Sequence, residues 1–276
     1  MSGSPRPGDG PFTTRTPRVV AARRLHRRAA RDETGRFLAE GPQAVREAIS
    51  AGTVIELFAT DGATSRHPEI VAAAERQGGR VSPVTDDALA ALAETVHPQG
   101  LVAVCGRLDV PVARALARTP RLVAVLAEIR DPGNAGTVLR TADAAGAAAV
   151  VFAGDAVDPY NGKCVRASAG SLFHVDVVRE RDVAAAVAAL HASGLRVLAA
   201  TGYGESDLDD LADAGALAAP TAWLFGSEAH GLPADLLAAA DARVRVPLYG
   251  RAESLNLAAA AAVCLYASAR AHRSKR

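Results

Sequence analysis

Short apolar runs alternate along this chain with stretches in which apolar side chains recur at helical spacing, and the alternation predicts most of its elements. RFLAEG (36–41) reads as a strand, and PQAVREAISAG (42–52) as a helix with Pro42 near its start and Gly52 as its stop. TVIELFAT (53–60) is a strand and HPEIVAAAERQGG (67–79) a helix closed by two glycines; RVSPVT, DDALAALAET and GLVAVCG (100–106) give strand, helix and strand. Strands alternating with helices of this length predict a layered α/β domain over residues 18–106. Ahead of its first strand, VVAARRLHRRAAR suits one short helix from Val19 to Arg31 with a basic face. Residues 1–17, rich in Pro, Gly, Ser and Thr, have little to bury and predict a disordered tail.

Residues 107–120 break the rhythm with two prolines and no strong strand, which predicts a linker. A second domain, 121–276, opens with the buried-strand run LVAVLAEI (122–129), then the loop DPGNAG (131–136) and the helical stretch TVLRTADAAGA (137–147). Further strands are expected at 148–154, 174–178, 195–201, 221–226 and 242–248, and helices at 182–194 and 232–240. The last segment, 254–273, predicts an Ala-rich helix that Ser254 or Glu253 is placed to cap, with arginines at its C-terminal end. The expected fold class is α/β, with a mostly parallel C-terminal sheet carrying helices on both faces.

Composition sharpens this outline. Hydrophobic residues make up 49% and aromatics only 4%, so the core must be built from Ala, Val and Leu. No apolar run is long enough to span a membrane without a charge, and the N-terminus has no apolar leader, so a cytoplasmic protein without membrane contact is expected. Cys105, Cys164 and Cys264 lie far apart in no metal-binding pattern; they predict reduced buried thiols and no metal. The net charge of +1 conceals an asymmetry, because residues 1–36 carry +6 and the remainder −5. A GC-rich genome accounts for the abundance of Ala and of Arg over Lys, but not for arginines gathered at one end. Arg24, Arg27, Arg28 and Arg31 follow i, i+3, i+4, i+7 spacing, so on one helix they would share a face. With Arg36 they form a candidate RNA-binding stripe, the alternative being a solvated basic face. Arg270, His272, Arg273, Lys275 and Arg276 make the other end basic as well.

The candidate chemistry excludes several classes. The turn after the first strand of the second domain is DPGNAG rather than G-x-G-x-x-G, and no acid stands in a dinucleotide register, which disfavours a Rossmann NAD site. G-x-x-x-x-G-K-[ST] and G-x-S-x-G are both absent. Three polar stretches stand out instead. DPGNAGTVLRTA holds Asn134 in a loop and Arg140 on the helix after it; LFGSEAHGLP holds Glu228 at a strand end between Gly226 and Gly231; VPLYGRAESLNLA holds Ser254 and Asn256 at a helix start. Each alone has an ordinary use: a turn asparagine, a surface arginine, a helix-start acid, an N-cap. Together they put polar groups at the C-terminal ends of three strands, where open α/β sheets bind ligands.

The order N-x5-R-T-A, F-G-x-E-x-x-G-L and V-P-L-x6-S-L-N-L resembles the SpoU class of SPOUT RNA methyltransferases across residues 121–276. RFLAEGPQAVREAI resembles the small ribosomal-protein-like RNA-binding domain that many members carry ahead of the catalytic one. The resemblance implies a deep trefoil knot in roughly the last 80 residues. It implies a homodimer and transfer of a methyl group from S-adenosylmethionine to a ribose 2′-hydroxyl, ribosomal (23S) RNA being the favoured substrate. The alternatives are a transfer-RNA 2′-O-methyltransferase and a non-catalytic RNA-binding or ribosome-assembly protein. By the same resemblance Arg140 is the catalytic arginine and Asn134, Glu228, Ser254 and Asn256 complete the catalytic set. Leu198, Ala199, Ala200, Thr201, Gly226, Val246, Leu248 and Leu255 would hold the cofactor, largely through backbone groups, and Arg166 would bind a target phosphate. A guanidinium is seldom neutral, so Arg140 is expected to stabilise the developing alkoxide rather than to abstract its proton.

Overall fold

The computed structural model describes residues 10–273. The expectations for residues 1–9 of the tail and for Lys275 and Arg276 lie outside the described residues. The chain forms two compact units, one running to Arg107 and including Tyr160–Phe173, the other made of Leu108–Pro159 and the rest from His174.

The first unit begins with helices α1 (Pro17–Arg23) and α2 (Arg28–Thr34). Strands β1 (Arg36–Glu40), β2 (Val54–Ala59), β3 (Arg80–Pro83) and β4 (Leu101–Gly106) form a sheet in the order β1-β4-β2-β3. β4 runs antiparallel to β1 and β2, and β2 parallel to β3. Helices α3 (Pro42–Ser50), α4 (Asp61–Arg66), α5 (Pro68–Arg76) and α6 (Asp86–Leu92) connect the strands. On α3, Ala44, Val45, Ala48 and Ile49 are buried, the stripe that its sequence spacing predicts. Thr60 and Thr85 start α4 and α6 by accepting hydrogen bonds from the N–H groups of Ala63 and Ala88.

Two expectations are corrected here. The segment from Val19 to Arg31 is not one helix. A 3-10 turn at Arg24–His26 follows α1, and Arg27 is extended, with φ −92° and ψ 133°. The break leaves carbonyls without helical partners, and Arg31 takes them up. It is buried, with its Nη1 donating to the carbonyls of Leu25 at 2.8 Å and His26 at 2.9 Å. Arg24, Arg27 and Arg28 stay exposed, but the four arginines form no single stripe. Nor is the described part of the tail loose: Phe12 donates to Pro83 O at 2.8 Å and accepts from Thr85 N at 2.9 Å, and it packs on the core beneath α1 and α6.

In the second unit, helix α7 (Val112–Leu116) lies within the stretch that lacked a sequence signal, and its Ala115 and Leu116 are buried. β5 (Leu122–Ala127), α8 (Pro132–Ala144) and β6 (Ala149–Ala153) follow. α9 (Gly162–Ala167) belongs to the first unit; β7 (Asp176–Glu180), α10 (Val183–Ala192), β8 (Arg196–Ala200), β9 (Ser206–Asp207) and α11 (Leu208–Asp213) return to the second. β10 (Thr221–Phe225), α12 (Ala234–Ala239), β11 (Ala242–Arg245) and α13 (Leu257–Arg273) complete it. The seven strands run in the order β7-β6-β5-β10-β8-β11-β9, every pairing parallel. Alternate residues serve opposite faces. Ala222 and Leu224 of β10 pack with Val187 and Leu190 of α10 and Leu236 of α12, while Trp223 faces away and donates its Nε1–H to Ser268 of α13 at 2.9 Å. Both faces are covered, so the strands are apolar throughout rather than alternating.

Between β6 and β7 the chain leaves this sheet to complete the other unit's core. The Tyr160 ring lies 4.7 Å from that of Phe37, Phe173 lies 6.0 Å from Phe37, and Gln43 donates to Ala169 O at 3.0 Å. All three cysteines are buried, and burial pushes Cys105 and Cys264 up to about 12. Among the described residues no helix is long and apolar enough to cross a membrane, and no group of three or more His, Cys, Asp or Glu is placed to hold a metal ion.

Candidate active site

The loop expected at 131–136 is mostly helix. Asp131 caps α8, its Oδ1 accepting from Asn134 N at 2.7 Å, with Pro132 in the first turn. Asn134 therefore stands on the first helical turn with its backbone fixed. Its side-chain Nδ2 donates to Glu228 Oε1 at 2.8 Å, and its Oδ1 accepts from Asn256 Nδ2 at 3.2 Å. An ionised carboxylate can only accept, so the Asn134 amide nitrogen must face Glu228 and its oxygen must face Asn256. Asn256 Oδ1 in turn accepts from Ala258 N at 2.9 Å and so caps α13. Three motifs far apart in sequence thus meet in one polarised chain of side chains.

Each partner is held by its local backbone. Glu228 is exposed on a tight loop in which Ser227 and Gly231 exchange backbone hydrogen bonds of 3.1 and 2.9 Å. Gly231 has φ +66°, and a Cβ on Gly226 would stand 2.3 Å from the carbonyl of Gly231, so this close approach requires glycine. The expectation that Ser254 or Glu253 caps the last helix is corrected: Asn256 does so, and α13 starts at Leu257 because that amide oxygen is where the chain turns into the helix. Ser254 lies two residues ahead in an exposed stretch. Arg140 is exposed on α8, with no hydrogen bond or ion pair to Asn134, Glu228 or Asn256 among the described residues.

Beside β11, a cleft of about 400 Å³ is lined by Val246, Leu248, Leu255 and Val263, with Tyr249 and Asp209 at its edge. The Tyr249 hydroxyl donates to Asp209, and that bond raises its pKa. The size suits a small-molecule site, and aliphatic walls suit the faces of an adenine ring, so these residues fit an adenosyl cofactor. Val246, Leu248 and Leu255 are brought together there. Ala200 pairs with Phe225, which places Thr201 and Gly226 at adjacent strand ends, whereas Leu198 and Ala199 are buried within β8 as core.

Arg166 was expected to meet RNA. In the structure its Nη1 lies 2.9 Å from Glu94 Oε2 and 3.5 Å from Glu40 Oε2, two carboxylates of the first unit that draw it inward. Arg36 is exposed at the start of β1. The sequence reading missed Asp131, although Asp followed by Pro is a helix-start signal.

A model described as the SpoU rRNA Methylase family matches residues 121–266, and one described as an MRM3-like substrate binding domain matches residues 16–103. The chain belongs to the SpoU rRNA methylase family. Among SpoU relatives, it is 37% identical over 245 residues to the 23S rRNA (guanosine(2553)-2′-O)-methyltransferase RlmP of Bacillus subtilis, covering 88% of this chain and 92% of that one. It is 32% identical over 255 residues to the 23S rRNA (uridine(2479)-2′-O)-methyltransferase of Streptomyces viridochromogenes, covering 89% and 86%. Among solved SpoU-like structures, the AdoMet-bound rRNA methyltransferase from Sinorhizobium meliloti matches with a TM-score of 0.80 at 30% identity, covering 92% of this chain and 95% of that one. The cofactor of the SpoU family is S-adenosylmethionine.

Proposed function

We propose that this protein methylates a ribose 2′-hydroxyl of ribosomal RNA in the cytoplasm, using S-adenosylmethionine. The observation that carries the reading is the Glu228–Asn134–Asn256 chain, which joins the three family motifs. The relatives named for guanosine and for uridine share the family, so membership leaves the target base open.

Val246, Leu248 and Leu255 would cover the adenosyl group, with backbone groups near Thr201 and Gly226 reading its polar edges. The bound cofactor supplies an electrophilic methyl group. Asn134, oriented at both ends, holds Glu228 by one carboxylate oxygen and leaves the other for the ribose hydroxyl. Arg140 stabilises the alkoxide as it forms and grips the neighbouring phosphate, through which the proton is relayed to solvent. Ser254 and Asn256 position the ribose from the start of α13.

We assign RNA capture to residues 18–106 with Arg24, Arg27, Arg28 and Arg36, and methyl transfer to residues 121–276 with a trefoil knot near the C-terminus. A homodimer is supported by the exposed face of α13, where Val263 and Tyr266 are 43% and 53% exposed. The test is tritiated methyl transfer from S-adenosylmethionine to ribosomal RNA, followed by mapping of the modified nucleotide. Label on a ribose 2′-oxygen is expected; no label on ribosomal or transfer RNA favours a non-catalytic RNA binder. Light scattering at micromolar concentration should give a dimer mass.

A further inference from the structure

On the same edge of the parallel sheet, a second cavity of about 470 Å³ is lined by Glu128, Arg181, Asp182, Val183, Pro233 and Asp235. Glu128 follows β5 directly and has φ +55°, a left-handed backbone that glutamate seldom adopts. Its N–H donates to Ala153 O at 3.0 Å. Its side chain lies over Gly154: a Cβ there would stand 3.0 Å from Glu128 Cγ and 3.4 Å from its Oε1. The missing side chain at position 154 thus makes room for this carboxylate.

Among the described residues, neither the Glu128 nor the Arg181 side chain has a hydrogen-bond or ion-pair partner, although both line one cavity with opposite charges. Asp182 is already engaged, its Oδ1 capping α10 through Ala185 N at 3.0 Å. The cavity therefore offers a pair of acceptor oxygens and a separate fork of donors. Glu128 and Glu228 leave the C-terminal ends of adjacent strands, since Leu126 of β5 pairs with Phe225 of β10.

Among the RNA bases, only guanine presents two neighbouring donors, N1–H and N2–H, beside an acceptor, O6. Adenine and cytosine each set one amino donor beside an acceptor, and uracil sets one N–H between two acceptors. A carboxylate can form paired bonds with guanine alone, and an arginine can then donate to O6. We propose that this cavity receives the base of the methylated nucleotide, and that Glu128, with Arg181, selects guanine. This rests on the methyl-transfer reading above.

The test titrates the full-length chain with GMP, IMP, AMP, CMP and UMP, followed by ligand-observed NMR, and maps the nucleotide methylated in ribosomal RNA. GMP is expected to bind about tenfold or more tightly than IMP, which lacks the N2 amino group, and than the other three. Glu128→Gln should abolish that preference, and Arg181→Gln should weaken GMP without restoring IMP. Equal binding of the five nucleotides, or a guanine preference that survives Glu128→Gln, overturns the proposal. Methylation mapped to A, C or U overturns the guanine assignment and leaves methyl transfer standing. A guanine preference lost in Glu128→Gln, with no methylation of any RNA, overturns the methyl-transfer reading and leaves guanine binding by the cavity standing.

Discussion

Replacing Asn134 by Asp tests the polarised chain at its centre. The substitution preserves size but puts a second carboxylate where an amide donates to Glu228 at 2.8 Å. Two unit charges at that distance repel by about 1.5 kcal/mol in water and about 6 kcal/mol at an effective dielectric of 20. Glu228 is exposed, so solvent screening favours the lower part of that range, about 1.5–3 kcal/mol, or roughly one to two pK units shared by the pair. The sign follows from linkage. One carboxyl of the pair is raised in the folded state, so the folded protein binds more protons than the unfolded chain and loses stability as pH rises. The penalty is small below the ordinary carboxylate range, where both states are protonated, and grows as pH rises through that range and above it. Urea unfolding of wild type, Asn134→Asp and Asn134→Ala between pH 4.5 and 8 should show the Asp penalty growing by about 1.5 kcal/mol and the Ala penalty staying flat. An Asp penalty independent of pH, or an equal slope in Ala, would mean that Asn134 does not face Glu228 in solution.

Gly226→Ala should cost about 1–3 kcal/mol in urea unfolding, since its Cβ would meet the Gly231 backbone at 2.3 Å; an unchanged midpoint would show that the loop opens readily. Arg31→Ala should cost about 1.5–3 kcal/mol through the two carbonyls it leaves bare. By contrast, Gln at Arg24, Arg27 and Arg28 together should leave stability within about 0.5 kcal/mol and flatten the log–log salt dependence of RNA binding by about two to three units, readable by fluorescence anisotropy. Arg140→Ala should lower methyl transfer by about 100-fold or more while calorimetric cofactor affinity stays at the wild-type value; lost affinity with transfer intact would reverse its role.

Much of this molecule is legible in the sequence because its strands are buried on both faces and its helices carry local stop signals. LVAVLA and TAWLF read as strands from composition alone, and Gly52 ends α3 as expected. What the chain hides is set by tertiary partners. The break at Arg27 depends on Leu25 being buried and on Arg31 finding carbonyls, neither of which a periodicity of charges encodes. The three motifs were visible as motifs, but not the direction of the hydrogen bonds between them. Arg166 read as a phosphate ligand, because Glu40 and Glu94, its ion-pair partners, are remote in sequence.

The excursion of Tyr160–Phe173 into the first unit has a consequence for how the protein is made and exchanged. Phe37 is fully buried, and two of the rings against it, Tyr160 and Phe173, are translated more than a hundred residues later. At about 5–20 residues per second, the ribosome needs roughly 3–13 s after Arg107 before Phe173 exists. The first-made unit must wait that long, with an aromatic site open, before its core can close. For the same reason a fragment ending at Arg107 lacks part of its core, and a recombinant that borrows this unit from a relative inherits the whole core only if it takes both stretches of chain.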